Sequence, residues 1–125
     1  AKAAFKGKTD YMLVFNSEEE IRSLVPMLNN IAALPCRGLI VTAKGNSVDF
    51  VTRFFAPQIA VDEDPVTGSA HTTLIPYWSA RLGKKQMQAM QLSKRQGLLR
   101  CEYLGERVAI GGQGVLYLSG EIYIQ

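Results

Sequence analysis

The stretch from about Ser69 to Leu82 constrains the fold most. Read as a helix, it carries Ala70, Leu74, Ile75, Tyr77, Trp78, Ala80 and Leu82 on more than one face. A helix apolar nearly all round needs burial on most of its sides. Gly83 supplies its C-terminal stop, and Arg81 places a positive charge in the last turn. Pro76 removes one backbone donor and is expected to kink or locally open the helix.

The segments around it are mostly of strand type. Tyr11 to Phe15 is a short apolar run ended by Asn16-Ser17. Ser17 and Glu20 make a capping box, and Ile21, Leu24, Val25 and Leu28 share a helical face, which predicts a helix over 18–29. Gly38 to Ala43 and Val48 to Phe55 are rich in β-branched and aromatic residues and flank the turn-forming KGNS, so they read as a hairpin. Pro57 ends the second strand, and residues 58–68 form an acidic loop. Met87 to Leu92, Leu98 to Leu104, Arg107 to Ile110 and Val115 to Ile124 are further strand candidates, the last broken at Gly120. The expectation is an α+β fold in which a curved, mostly antiparallel, barrel-like sheet wraps around a central helix.

At 125 residues, 47% hydrophobic and 20% charged, the chain is expected to form a single domain over 1–125. Two distant cysteines, Cys36 and Cys101, and the lone His71 are too few ligands for a zinc or iron–sulfur site, so no metal is expected. Sparse cysteine fits a reducing compartment, and no apolar run approaches bilayer length; the cytoplasm is the default and no membrane partner is expected. The start, AKAAFKGK, has no initiator methionine and suggests a chain that begins mid-protein. Net charge is +3, and the stretch 81–100 holds six basic residues with no acid. Aromatics are not interleaved with them as nucleic-acid stacking requires, so a solvated face is preferred and no nucleic-acid partner is expected.

The chemistry-bearing segment is Glu63 to His71, EDPVTGSAH. It joins a carboxylate, Asp64, to the glycine, hydroxyls and amides of a helix start. Such a start leaves unpaired N–H groups and a partial positive charge, and a glycine lets a ligand approach the backbone. Asp64 could hold an amine or move a proton, and Ser69 could donate to a substrate oxygen. The plain alternative is that Thr67 or Ser69 caps the helix while Asp64 closes the turn before Pro65. Arg53 either binds an anion or is an outward strand charge. His71 either takes part in the site or is a packed rim histidine.

RFFAP (53–57), EDPVTGSAH, PYW (76–78), LGK (82–84) and QLSKRQG (91–97), with RGLIVTAKGNSVDF before them and RVAIGGQG after, resemble the C-terminal half of the phenazine-biosynthesis PhzF-like family. The resemblance covers nearly the whole chain. It implies one lobe of a diaminopimelate epimerase-like fold, in which two lobes, each a curved sheet around a helix, enclose the active site between them. It implies a cofactor-independent isomerase that shuttles a proton on a small carboxylate-bearing substrate. By matching positions, Asp64 and Ser69 would be the catalytic residues of this lobe. Thr67, Gly68, Ala70 and His71 would bind substrate, with Arg53 as a further anion contact. The family's principal acid/base, a glutamate, belongs to the N-terminal lobe, the implied partner, and nothing in this chain matches it; the chain alone is expected to be inactive. Gln58-Ile59 and Gln96-Gly97 stand where the family often has Gly-Ile and a double glycine, which bears on substrate fit. A thiol-based epimerase is disfavoured because Ser69 stands where that chemistry needs cysteine. The alternative is a non-catalytic binding or dimerisation domain, a homodimer whose two copies mimic the two lobes.

Overall fold

A computed structural model describes residues 1–125. It contains seven strands: β1 (Ala3–Lys6), β2 (Asp10–Val14), β3 (Gly38–Lys44), β4 (Phe50–Phe55), β5 (Gln86–Gln91), β6 (Gly97–Tyr103) and β7 (Val108–Gly111). The helices are α1 (Glu18–Ser23), α2 (Leu28–Ala32) and α3 (Gly68–Leu82), with a 3₁₀ turn at Pro57–Ile59. The strands form one sheet in sequence order, β1 to β7. Neighbours are antiparallel except β2/β3 and β4/β5. Those two parallel pairs require crossovers, supplied by α1–α2 and by α3.

The sheet is open: β1 and β7 are its edges and do not pair with each other, so the expected barrel is not closed. Each crossover covers a different face. On one face α3 contributes Ala70, Leu74, Ile75 and Trp78 to a cluster with Met12, Ile40, Phe50, Phe54, Met87, Ala89, Leu99 and Cys101. Ala3 of β1 and Val108 of β7 pack at its margin, so every strand contributes to the environment of α3. On the other face Ile21 and Ile31 pack on Leu39, Val41, Val51 and Phe55. β3 is therefore buried on both faces, which is why GLIVTA reads as an unbroken apolar run rather than an alternating one. Inside the α3 face, Trp78 Nε1–H donates to Thr42 Oγ1 (3.0 Å), whose hydroxyl donates to the Val51 carbonyl (2.7 Å). The Trp78 indole stacks on Phe50 at 5.9 Å between centroids.

Three local expectations are corrected. The helix over 18–29 is two helices, because Pro26 denies the chain a donor and Leu24 turns extended, leaving Val25 exposed. Ser17 Oγ does accept from Glu20 N–H (3.3 Å), while the Glu20 carboxylate reaches the Asn16 amide (3.0 Å). Pro76 does not interrupt α3, which runs to Gly83, a left-handed C-cap (φ 65°) whose N–H returns to the Ser79 carbonyl. Residues 115–124 form no strand; everything from Gly112 onward lacks regular structure and is exposed. β1 was not anticipated: AAFK becomes a strand by pairing with β2. No helix is long and apolar enough to cross a membrane.

Candidate active site at the start of α3

The site begins where β4 ends. After Phe55 the chain makes a 3₁₀ turn, with Ala60 left-handed, and comes back so that Asp64 N–H donates to the Phe54 carbonyl (3.0 Å). The segment Asp64 to Thr67 then leads into α3. Its shape is fixed by Gln91, the last residue of β5 and fully buried. Gln91 Oε1 accepts from Thr67 N–H (2.8 Å), and Gln91 Nε2 donates to the Asp64 carbonyl (2.8 Å) and to Thr67 Oγ1 (3.0 Å). Thr67 Oγ1–H in turn donates to Asp64 Oδ2 (2.6 Å). Ser93 Oγ–H holds the Pro65 carbonyl (2.8 Å). Val66 lies so close to Gly97 that a Cβ there would come within 2.3 Å of it, which explains a glycine at the start of β6.

This arrangement spends Thr67 on Asp64 rather than on the helix. Thr67 is the N-cap of α3, yet its side chain makes no capping bond. The first-turn amides of Gly68, Ser69 and Ala70 thus keep the donor capacity and positive potential of a helix start. Gly68 and Ser69 are exposed, and a Cβ at Gly68 would meet nothing within 4 Å. Asp64 is half-buried, with one carboxylate oxygen held by Thr67. A carboxylate beside open helix amides can bind a substrate's own carboxylate on the amides and exchange a proton at Asp64.

The residues singled out in the sequence separate into two groups. Asp64, Thr67, Gly68, Ser69 and the backbone of Ala70 meet at this loop–helix junction. His71 is fully buried: Nδ1 lies 2.7 Å from the Thr67 carbonyl, so Nδ1 carries the proton, and Nε2 has no hydrogen-bond partner. Burial depresses its pKa, keeping the ring neutral, and it braces the first turn from inside rather than facing the opening. Arg53 is engaged within the chain, away from the helix amides. Its Nε and Nη2 donate to the two Glu63 oxygens (2.7 and 3.0 Å), and Nη1 donates to the Ile21 and Leu24 carbonyls on the α1 face of the sheet. With these bonds it ties the acidic loop to the end of α1. No group of three or more His, Cys, Asp or Glu side chains is placed to hold a metal ion.

Sequence reasoning missed Gln91, Arg37 and Asp10. Arg37, just before β3, donates from Nε and Nη2 to the buried Asp10 carboxylate (2.9 and 2.5 Å) and from Nη2 to Ser69 Oγ (3.0 Å). The Ser69 hydroxyl is therefore oriented by a guanidinium, leaving its hydrogen free to donate outward. The signal for Gln91 was present: it falls in the inward phase of β5, with Met87 and Ala89.

Gln91→Leu keeps the volume but strands the Thr67 amide and the Asp64 carbonyl. It is expected to destabilise the fold by about 1–3 kcal/mol and to speed exchange of the Thr67 amide. Urea unfolding and amide exchange measure both. A cost inside the roughly 0.5 kcal/mol of an ordinary surface change would show that the clamp does not hold the loop.

The sequence model of the family PhzC-PhzF, described as phenazine biosynthesis-like protein, matches residues 1–120. The chain is 47% identical to an uncharacterized isomerase of Pseudomonas aeruginosa over 124 residues, covering 99% of this chain and 48% of that protein. It is 56% identical over 117 residues to a second uncharacterized isomerase of that organism, covering 93% and 45%. Among solved structures it is similar to a phenazine biosynthesis protein of the PhzF family from Enterococcus faecalis. That match has a TM-score of 0.88 at 45% identity, over 97% of this chain and 46% of the other. The chain spans about half the length of the relatives it matches.

Proposed function

The chain belongs to the phenazine biosynthesis-like PhzC-PhzF family, and from that premise we propose that it is the C-terminal lobe of a cofactor-independent isomerase. The enzyme moves a proton on a small carboxylate-bearing substrate in the cytoplasm. Its two lobes, each a curved sheet around a helix as in diaminopimelate epimerase-like folds, face each other across the site. In this lobe the amides of Gly68 to Ala70 hold the substrate carboxylate. Asp64 carries or orients the proton, and Ser69 donates to an oxygen that gains charge as the proton leaves.

The observation that carries this reading is the diversion of Thr67. A turn built only to start a helix would use its N-cap hydroxyl on the helix amides. Here that hydroxyl and a fully buried glutamine serve the Asp64 segment instead, and the amides stay open. A groove of about 940 Å³ lies elsewhere, beside Lys84 and Arg100. A site shared between two lobes presents one wall in each, so a shallow surface at α3 agrees with the reading.

The test is proton exchange with solvent. The complete two-lobe protein, incubated in D₂O with a panel of small unsaturated amino- and hydroxy-carboxylates, is expected to place deuterium on carbon in at least one of them, read by mass spectrometry. Binding of such compounds without any deuterium incorporation would overturn the isomerase reading.

A further inference from the structure

We propose that Arg37 is a positioning residue of the α3 site: held by Asp10, it fixes the Ser69 hydroxyl as an outward donor. The ligand group opposite Ser69 is then an oxygen that carries no hydrogen, a carboxylate or enolate, and not an amine. This rests on the reading of the α3 start as an anion site. The fold sets the pair in place before any ligand arrives. Asp10 opens β2, Arg37 stands directly before β3, and the parallel pairing puts Asp10 opposite Gly38. Arg37 N–H donates to the Thr9 carbonyl (2.7 Å), and its guanidinium lies 5.7 Å from the centroid of the Phe54 ring. Gly38 presses on the same ring, where a Cβ would come within 2.4 Å, so the backbone at Arg37 has little room to shift.

Asp10 is buried, and its two oxygens take Nε and Nη2 of Arg37 in a fork, which balances the charges and holds the guanidinium plane. A pin between two strand ends would be complete at that point. Yet Nη2 also donates to Ser69 Oγ (3.0 Å), on an exposed residue in the first turn of α3. A bond that ends on a solvated hydroxyl adds little to the fold. Its effect falls on the hydroxyl itself, which has one hydrogen and two lone pairs. Arg37 occupies a lone pair, and the hydrogen is donated to no group of the chain. A ligand ammonium would have to share the oxygen with a guanidinium. An anionic oxygen instead meets the hydrogen beside the amides of Gly68 to Ala70. Lysine could not do the same, because a single ammonium on a flexible stem does not present its donors in a fixed fork.

The test uses the full-length protein and needs no turnover. In Ser69→Cys the introduced thiol is titrated through the pH dependence of its alkylation, read by mass spectrometry of its peptide. A guanidinium donating to sulfur favours the thiolate, so this thiol is expected to titrate at least about one pH unit lower than in the same variant with Asp10→Asn and Arg37→Met added. That pair of changes removes both charges and strands neither. Benzoate is then titrated while the amides of Ser69 and Ala70 are followed. Ser69→Ala is expected to weaken its binding about three- to tenfold. Arg37→Lys should cost a similar factor, and the two together no more than Ser69→Ala alone, as for residues acting through one contact. Equal thiol titration with and without Arg37 overturns the proposal. So do additive losses, which would make Arg37 an independent contact, and so does benzylamine held at these amides as tightly as benzoate. No benzoate binding by the unaltered protein overturns the ligand assignment together with the anion reading. A coupled Arg37–Ser69 pair in a protein that places no deuterium on carbon counts against the isomerase reading alone.

Discussion

Asp64→Asn in the complete two-lobe protein is expected to fold normally and to lose proton exchange by roughly a hundredfold to ten-thousandfold, the range of a positioned acid or base. The fold should survive because what holds this residue is mostly backbone. Its N–H is bonded to Phe54 and its carbonyl to Gln91, and neither bond depends on the side chain. The one side-chain contact, from the Thr67 hydroxyl, is made to an oxygen that asparagine also has. What asparagine cannot do is accept and return a proton. Ser69→Ala should cost much less, because the helix amides still hold the substrate and only one donor, with its link to Arg37, is removed. The measurements are melting temperature and deuterium incorporation on the same samples. A clear fall in melting temperature with unchanged exchange would make Asp64 a turn residue and nothing more.

The parts of this site that the sequence made legible are those whose meaning is local. An acid, a glycine and two hydroxyls at a helix start can be recognised from neighbouring residues alone, because the unpaired amides are a property of any helix end. α3 was legible for the same reason, being long and apolar on several faces. The partners that give the site its shape are distant in sequence. Gln91 reaches Thr67 across 24 residues, and Arg37 reaches Ser69 across 32. Only the parallel pairing of β4 with β5 brings Gln91 beside the loop. The partners of Arg53 were not legible because a strand charge can face either side of a sheet, and register decides which. The break at Pro26 was obscured because Val25 completed an apolar face on paper. Residues 115–124 show the converse: local pattern predicts a strand, but a strand also needs a neighbour, and this chain provides none.

The isolated chain is expected to show no measurable proton exchange even though Asp64 and the helix amides are intact in it. Proton transfer requires an acid or base within hydrogen-bond reach on the correct side of the substrate, and the family resemblance places the principal one, a glutamate, on the other lobe. Solvent is a second obstacle. Gly68 and Ser69 are exposed here, so a substrate on the amides would have one face in water. Donors aimed at a developing negative charge are worth most where water is excluded and least where it competes. Arg37 is already committed to the Asp10 carboxylate through two bonds and to Ser69 through a third, so its charge is largely balanced within the chain. The chain should therefore bind carboxylates weakly at α3 and leave them unchanged in D₂O. Adding the separately produced other half should restore exchange if the two associate. Robust exchange by the chain alone would show that Asp64 suffices as the base and would end the two-lobe account of the chemistry.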